Sequence, residues 1–490
     1  MIRPSLADFL KNARSGLIVA IVREMPADRM TPIDAFYALG ASYLLESAEG
    51  GSLGRYSFLG VEPVARLTVN GNSCRMEEGG WVESFVTTDP LRAVGDLVDS
   101  RRYFGEGDLS PFPGGAVGYL GYDAARLWER LPLPPGKVGP GVPDAIFIVT
   151  RFTLVFDNLT HSLKVICNAR IGEDPGHDYS EAVKGIDRIV QELERADFDR
   201  SRPTVRVRAG KPEPEGPRED FEAAVVEAKE LLAAGEAIQV VLSRRFSAGY
   251  EGDPFAVYRA LRSINPSPYM FYLDFGDFVL LGASPEIMVR VAGGKAVLRP
   301  IAGTRPRGKD GEEDARLRTE LLADEKERAE HLMLVDLARN DLGRVAAPGK
   351  VRVDRMMEVE MYSHVMHIVS EVSADLAEGV DVADVVRAVF PAGTVSGAPK
   401  IRAMEIIDSL EPSLRGPYGG LIGYFSYRGG FDSCIAIRSA LFKDGRAHVQ
   451  AGAGIVHDSQ PDKEYDEVRN KAKAMFVALE RAEATNGPAR

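Results

Sequence analysis

Four glutamates in two segments have the type and spacing to meet a hard cation. ADEKERAEHLMLVDLARNDLGRV (323–345) is predicted as a helix, and on it Glu327 and Glu330 share a stripe with Leu334, because residues three and four apart are neighbours on a helix surface. SQPDKEYDEVRNKAKAMFVALERA (459–482) is predicted as a second helix, with Ser459 as its N-cap and Pro461 in its first turn. Its apolar stripe is Tyr465, Val468, Ala472, Phe476 and Leu479; beside it runs a second stripe of Glu464, Glu467 and Lys471. Mg2+ prefers oxygen ligands and commonly takes one or two protein carboxylates, filling its shell with water and ligand oxygens. Charged stripes on helices are also the ordinary signature of a solvated face, so the spacing by itself leaves both readings open.

Groups suited to anions lie near these segments in the sequence. QAGAGIVHDS (450–459) places Gly452 and Gly454 two apart, a spacing that lets backbone N–H groups face an anion as in a nest. It lacks the third glycine of a dinucleotide fingerprint. FPAGTVSGAPKIRAMEIIDSLEP (390–412) is a Gly-Ser-Thr loop before a helix, without the Gly-Lys-Ser/Thr of a Walker loop. Arg438 falls in SCIAIRSALF, an apolar run predicted as a half-buried strand, where a guanidinium needs a carboxylate partner, from a structural ion pair or from a ligand. RPIAGTRPRG (299–308) collects three arginines around Ala302. His364 and His367 stand three apart and are open to metal binding or to core hydrogen bonding. Together these features describe a small, multiply carboxylated ligand held by Mg2+, an arginine, a lysine and backbone amides.

The elements that must position these groups are those of a sizeable globular chain. Its 490 residues are 45% hydrophobic and 27% charged, with a net charge of −12. That balance gives no bulk attraction to nucleic acid or anionic membranes. Cys74, Cys167 and Cys434 lack metal-type spacing and do not suggest a disulfide framework. With no apolar targeting segment visible, a cytoplasmic location is expected. A Pro-, Gly- and charge-rich stretch, 199–219, reads as a linker or surface loop. It divides a β-rich N-terminal region (1–198) from a catalytic domain (220–485). GGAVGYLGYD (114–123) and GGLIGYFSYR (419–428) echo each other as glycine-containing strands, and Asp444-Gly445 marks a hairpin turn. The pattern favours an α+β fold with largely antiparallel sheets packed as a sandwich and helices outside.

With these residues assembled, the chain resembles the chorismate-utilising enzymes, and among them the large subunits of anthranilate synthase. NPSPYMFYL, GASPE, PIAGTRPRG, EKERAEHLMLVDLARNDLGRV, HVMHIVSEV, GTVSGAPK, GGLIGYFSYRG, CIAIRSAL and QAGAGIVHDS occur in the family's order across nearly the whole chain. The resemblance implies amination of chorismate at C2, loss of the C4 hydroxyl and elimination of pyruvate. It implies that Glu330 and Glu467 hold Mg2+, with Glu327 and Glu464 behind them. Gly452, Ala453, Gly454 and Lys471 would meet the ring carboxylate, and Tyr418 and Arg438 the enolpyruvyl carboxylate. Ala302, Gly303 and Thr304 would line the substrate site, with Thr394 a further contact. Glu286 would be the general acid and His367 would serve in pyruvate elimination. Gln239 stands where isochorismate and salicylate synthases of the family carry a water-activating lysine; a neutral amide suits ammonia instead. Ala302 stands where aminodeoxychorismate synthases, the nearest rival, typically have a nucleophilic lysine. A catalytically silent tryptophan-binding subunit is a second alternative, disfavoured because Glu286, Glu330, His367, Arg438 and Glu467 are all present.

The resemblance also implies a tryptophan feedback site of Leu45, Glu46, Ser47, Pro268, Tyr269, Met270 and Cys434. None of the three cysteines has the glycine-flanked setting of a glutaminase nucleophile. The expected ammonia source is therefore a separate glutamine amidotransferase subunit, or free ammonia.

Overall fold

A computed structural model describes residues 2–484 apart from 49–53, 100, 106–108, 132, 134, 197–206 and 363–364. His364 and the first part of the 199–219 stretch lie outside the described residues. The rest of that stretch, from 207, lays two short strands (Arg208–Ala209 and Glu213–Pro214) along Gln239–Glu251.

The fold is α+β, and antiparallel pairing dominates it. Among the described residues one pairing, Ile18–Pro26 with Tyr103–Phe104, is parallel. Alternation along the strands produces the layering, since successive side chains point to opposite faces. Ala20, Val22, Tyr43, Phe58, Val155, Phe271 and Leu273 point into an inner core, all of whose buried members come from strands and their loops. Their sequence neighbours Val19, Ile21, Leu44, Leu59, Leu154, Met270 and Tyr272 point the other way, into a core shared with helices. Sheet thus packs on sheet inside, and helices cover the outer faces.

Two helices matter for the site. Glu325–Gly343 buries Val335, Ala338 and Leu342 against Val372 and Ala374 of the Val365–Leu376 strand. Asp324 caps it by accepting from the Lys326 and Glu327 amides. Pro461–Ala484 buries Tyr465, Val468, Ala472, Met475 and Leu479 in the core that also receives Arg446–Ile455. Ser459 is not its N-cap. The helix begins at Pro461, leaving Gln460 in the capping position, while the Ser459 hydroxyl accepts from the Val456 amide and closes the preceding turn.

The two echoing glycine segments are neighbours in space: Gly115–Leu120 pairs antiparallel with Leu421–Ser426. Their glycines permit close backbone approach; a Cβ on Gly118 would stand 1.9 Å from the Ile146 carbonyl oxygen. The hairpin turn is also as expected, with Asp444 and Gly445 at φ 50° and 71°. Tyr43–Glu46 pairs with Tyr269–Asp274, so among the described residues strand pairing joins the N-terminal region to the remainder at two places. All three cysteines are free and buried. No helix among the described residues is long and apolar enough to cross a membrane.

Candidate active site and a second cavity

Glu286 sits between the strands Val279–Ser284 and Ile287–Ala292. Its carbonyl oxygen accepts from the Ile435 amide, and its own amide donates to the Ser284 hydroxyl at 3.4 Å. Burial pushes its carboxyl up to about 7, against the downward pull of Thr394, Lys471 and Arg438. Thr394, in the short turn Gly393–Val395, faces that carboxyl with a buried hydroxyl that completes no hydrogen bond of ordinary geometry among the described residues. Both side chains line one small cavity of about 50 Å³.

Arg438 departs from the expectation of a strand residue. The chain breaks between Phe431–Ile435 and Ser439–Lys443, and Arg438 occupies the break at φ 52°, a backbone conformation that non-glycine residues seldom adopt. Nor does it form a structural ion pair. Among the described residues no carboxylate lies within ion-pair distance of it and no acceptor within hydrogen-bond distance. Its charge is felt by Glu286, His367 and Tyr418. Desolvation correspondingly lowers its own pKa. A part-buried guanidinium without a protein anion is a binding site for a ligand anion.

Gly452, Ala453 and Gly454 correct a second expectation. They do not form a nest, since all lie in the extended strand Arg446–Ile455, in register with Ser243, Leu242 and Val241. Their smallness is what the site uses. A Cβ on Gly452 would come within 2.9 Å of the Tyr418 hydroxyl, and one on Gly454 within 2.3 Å of Gln239 Nε2. The glycines let Tyr418 and the buried Gln239 amide lie flat against the strand. Lys471 donates to the Gly452 carbonyl at 3.1 Å and pairs with Glu467 at 2.8 Å. Lys471, Glu467 and Arg438 line one cleft of about 500 Å³.

The acidic stripes converge. Burial raises the Glu330 carboxyl, and the charges of Glu327 and Glu467 raise it further. Burial likewise raises Glu464, with Glu467 adding to it. Carboxylates that repel one another across two helices suit a divalent cation, which would relieve the repulsion. As they stand, no three such groups among the described residues could enclose an ion alone, so the mode open to them is one or two carboxylates with ligand and water oxygens.

His367 lies on Val365–Leu376 opposite Thr304. Its Nδ1 is 3.2 Å from the Gly303 carbonyl oxygen and 3.0 Å from the Thr304 hydroxyl. Nδ1–H donating to that carbonyl leaves Nε2 as a free base. Burial lowers its pKa, which keeps the ring neutral at physiological pH. Ala302, Gly303 and Thr304 form a bulge here, with Gly303 at φ 72°; a Cβ on Gly303 would reach 3.2 Å from Glu327. The neighbouring arginines are structural: Arg299 pairs with Glu360, Arg305 with Asp324 and Glu327, and Arg307 with Asp314.

The family model described as chorismate binding enzyme matches residues 40–477. The chain belongs to that family. Within it, the chain belongs with the component 1 chains of anthranilate synthase. It is 48% identical to that of Thermus thermophilus, over 94% of this chain and 97% of that one, and 44% identical to that of Aquifex aeolicus, over 98% of each. A crystal structure of anthranilate synthase component I from Streptococcus pneumoniae, 38% identical, superposes with a TM-score of 0.78 over 92% of this chain and 99% of that one. The isochorismate synthase MenF of Escherichia coli shares the fold, with a TM-score of 0.72 at 19% identity over 97% of this chain and 99% of that one.

In this family member a second cavity, of about 510 Å³, lies apart from these residues. Leu45, Glu46, Ser47, Pro268, Tyr269, Met270 and Cys434 all line it. Met270 and Cys434, which composition alone would assign to the core, are buried and form its wall. Two polar lining residues, Arg290 and Asp432, were missed from the sequence. Arg290 pairs with Asp432 at 2.9 Å, and the Tyr269 hydroxyl donates to Asp432 at 3.0 Å. Their alternation with apolar neighbours on paired strands was the available signal. Glu46 accepts from the Tyr258 hydroxyl at 2.8 Å and from Arg262 at 3.2 Å. The Ser47 hydroxyl is buried with no hydrogen-bond partner among the described residues. An apolar pocket with carboxylates, a guanidinium and a free hydroxyl matches an amphipathic zwitterion.

Proposed function

We propose that this chain binds chorismate, adds ammonia at C2, and eliminates pyruvate to release anthranilate. What carries the reading is Arg438: a guanidinium with no anion partner among the described residues, set between a proton donor poised near neutrality and a neutral histidine. In the first step ammonia attacks C2, the ring double bonds shift and the C4–O bond breaks. Glu286 delivers its proton to the departing oxygen, which leaves as water, and the nitrogen added at C2 releases a proton to become a neutral amine. In the second, Nε2 of His367 takes the C2 proton, the ring becomes aromatic, and the C3–O bond breaks to release enolpyruvate, which takes up a proton at its methylene carbon to become pyruvate. Arg438 and Tyr418 hold the enolpyruvyl carboxylate. Gln239 cannot act as a base and Ala302 offers no amine, so neither activated water nor a lysine competes with ammonia. Mg2+ would be held by Glu330 and Glu467, with Glu327 and Glu464 behind them and Lys471 beside, and would neutralise the ring carboxylate.

The test is product identity. With chorismate, Mg2+ and ammonium the chain should form fluorescent anthranilate and pyruvate in equal amounts. A non-aromatic amino product, or 4-aminobenzoate after lyase treatment, would overturn the reading. Ammonia is supplied by a separate glutaminase subunit or taken free, so the isolated chain should not use glutamine.

Replacing Glu330 by Gln should remove Mg2+-dependent turnover by about 10²-fold or more, given the several kcal/mol that a metal contributes to charge stabilisation. An unchanged melting midpoint would show the fold intact, and retained metal-dependent activity would remove Glu330 from the ligand set. The 510 Å³ cavity is assigned to tryptophan as feedback inhibitor, which must favour a state weaker in substrate binding or catalysis. Activity across a tryptophan titration should fall to a plateau; a flat curve would end that assignment.

A further inference from the structure

Behind the site lies a buried ion pair. Arg415 and Glu411 are 1% and 6% exposed at their side chains. Arg415 Nε and Nη2 both donate to the Glu411 carboxylate, at 2.9 and 2.5 Å. Two further donors go to main-chain carbonyls on two other segments. Nη1 reaches Val395 at 2.6 Å and Nη2 reaches Val241 at 2.7 Å. Glu411 in turn accepts from the Ser243 amide and hydroxyl, at 2.7 and 2.8 Å. The Tyr122 and Tyr418 rings flank the guanidinium, with centroids 4.4 and 5.7 Å away. On the far side of the same loop, the Gly416 amide donates to Asp123 and the Gly416 carbonyl accepts from the Tyr122 amide.

Stability alone is a poor account of such a pair, because well-packed apolar residues of similar volume often replace one without loss. The destinations of its hydrogen bonds are more telling. Val395 ends the turn that carries Thr394, Val241 is two residues from Gln239, and Arg415 is three residues before Tyr418. One planar cation therefore ties together the three segments that bring Thr394, Gln239 and Tyr418 to the substrate. We infer that Arg415, held by Glu411, is a positioning residue that sets these three side chains in one frame. This rests on the function proposed above. A guanidinium suits the task because its donors form a rigid fork, whereas a lysine ammonium is a point charge on a flexible stem.

The experiment is Arg415→Lys, assayed with chorismate, Mg2+ and ammonium beside the wild type and in a double-mutant cycle with Thr394→Ala. Misplacement of substrate contacts by a fraction of an ångström to an ångström should lower kcat/KM by about 10²-fold and raise the chorismate KM. The two substitutions should be strongly non-additive, because both act on the same turn. A merely structural role predicts otherwise: a lower melting midpoint and a smaller active fraction, with wild-type KM and effects that multiply. That result would overturn the inference. Where Arg415→Lys does not fold, Glu411→Gln carries the test, since it keeps the side-chain volume and one acceptor oxygen while removing the charge. It should give a smaller KM increase in the same direction, and an unchanged KM would overturn the inference equally. Wild-type protein that forms no anthranilate would defeat the functional proposal instead, so the two failures are distinguishable.

Discussion

Glu286→Gln is expected to lower kcat by ~10²–10⁴-fold, the usual contribution of a positioned general acid, with the chorismate KM little changed. The carboxamide keeps the size of the side chain and loses the transferable proton. Burial is the main reason the carboxyl titrates near 7, and Thr394, Lys471 and Arg438 keep it from rising higher. With Glu286 as the proposed general acid, the acid form is the working one, so kcat/KM should fall as pH rises through about 7. Free ammonia must be held constant at every pH for this limb to be seen. In the Gln variant the limb should vanish. Linkage supplies a control on folding. A carboxyl whose folded pKa lies above its unfolded value contributes stability at low pH that is lost as pH rises through the folded value. The Gln variant, with nothing to ionise there, should therefore melt no lower than wild type at pH 8. A variant within a few-fold of wild-type kcat, with the limb in place, would mean that another group donates the proton.

Arg438→Met should raise the chorismate KM by about 10²-fold, since hydrogen bonds to charged groups are worth about 1.5–3 kcal/mol. It should also leave a mark that simple loss of contact would not. The Arg438 charge holds the Glu286 and His367 pKa values down. Its removal should move the falling limb of kcat/KM to higher pH and the rising limb upward with it. Unchanged limbs with a raised KM would place Arg438 farther from both groups than the structure does.

How far this site was legible differs residue by residue. The two acidic helices were readable because helical spacing is local: Glu327 with Glu330, and Glu464 with Glu467 and Lys471, fall on stripes by geometry alone. That the stripes face each other depends on how the helices dock, and no local pattern encodes it. Arg438 was readable as a cation needing an anion, but its strand ends at Ile435, and the left-handed break was hidden by apolar residues on both sides. Gly452 and Gly454 looked like an anion nest because two close glycines favour turns; pairing with 241–243 kept them extended, and their role became to make room. RPIAGTRPRG divides the same way. Its arginines belong to Glu360, Glu327, Asp324 and Asp314, while the bulge at Gly303 aims its backbone carbonyl at His367. Arg415 carried no signal in a Pro- and Gly-rich connection, since the main-chain carbonyls it binds, Val395 and Val241, are distant in sequence.

The joining of Gly115–Leu120 to Leu421–Ser426, and of Tyr43–Glu46 to Tyr269–Asp274, bears on how the molecule can be cut. A fragment beginning at 220 would present two raw sheet edges with rows of unmatched main-chain donors and acceptors, which invite sticking between copies. It would also lose Tyr122 and Asp123, which grip the loop holding Arg415. Minimal versions made for screening or for fusion to other proteins are better trimmed at the chain ends than divided at 199–219.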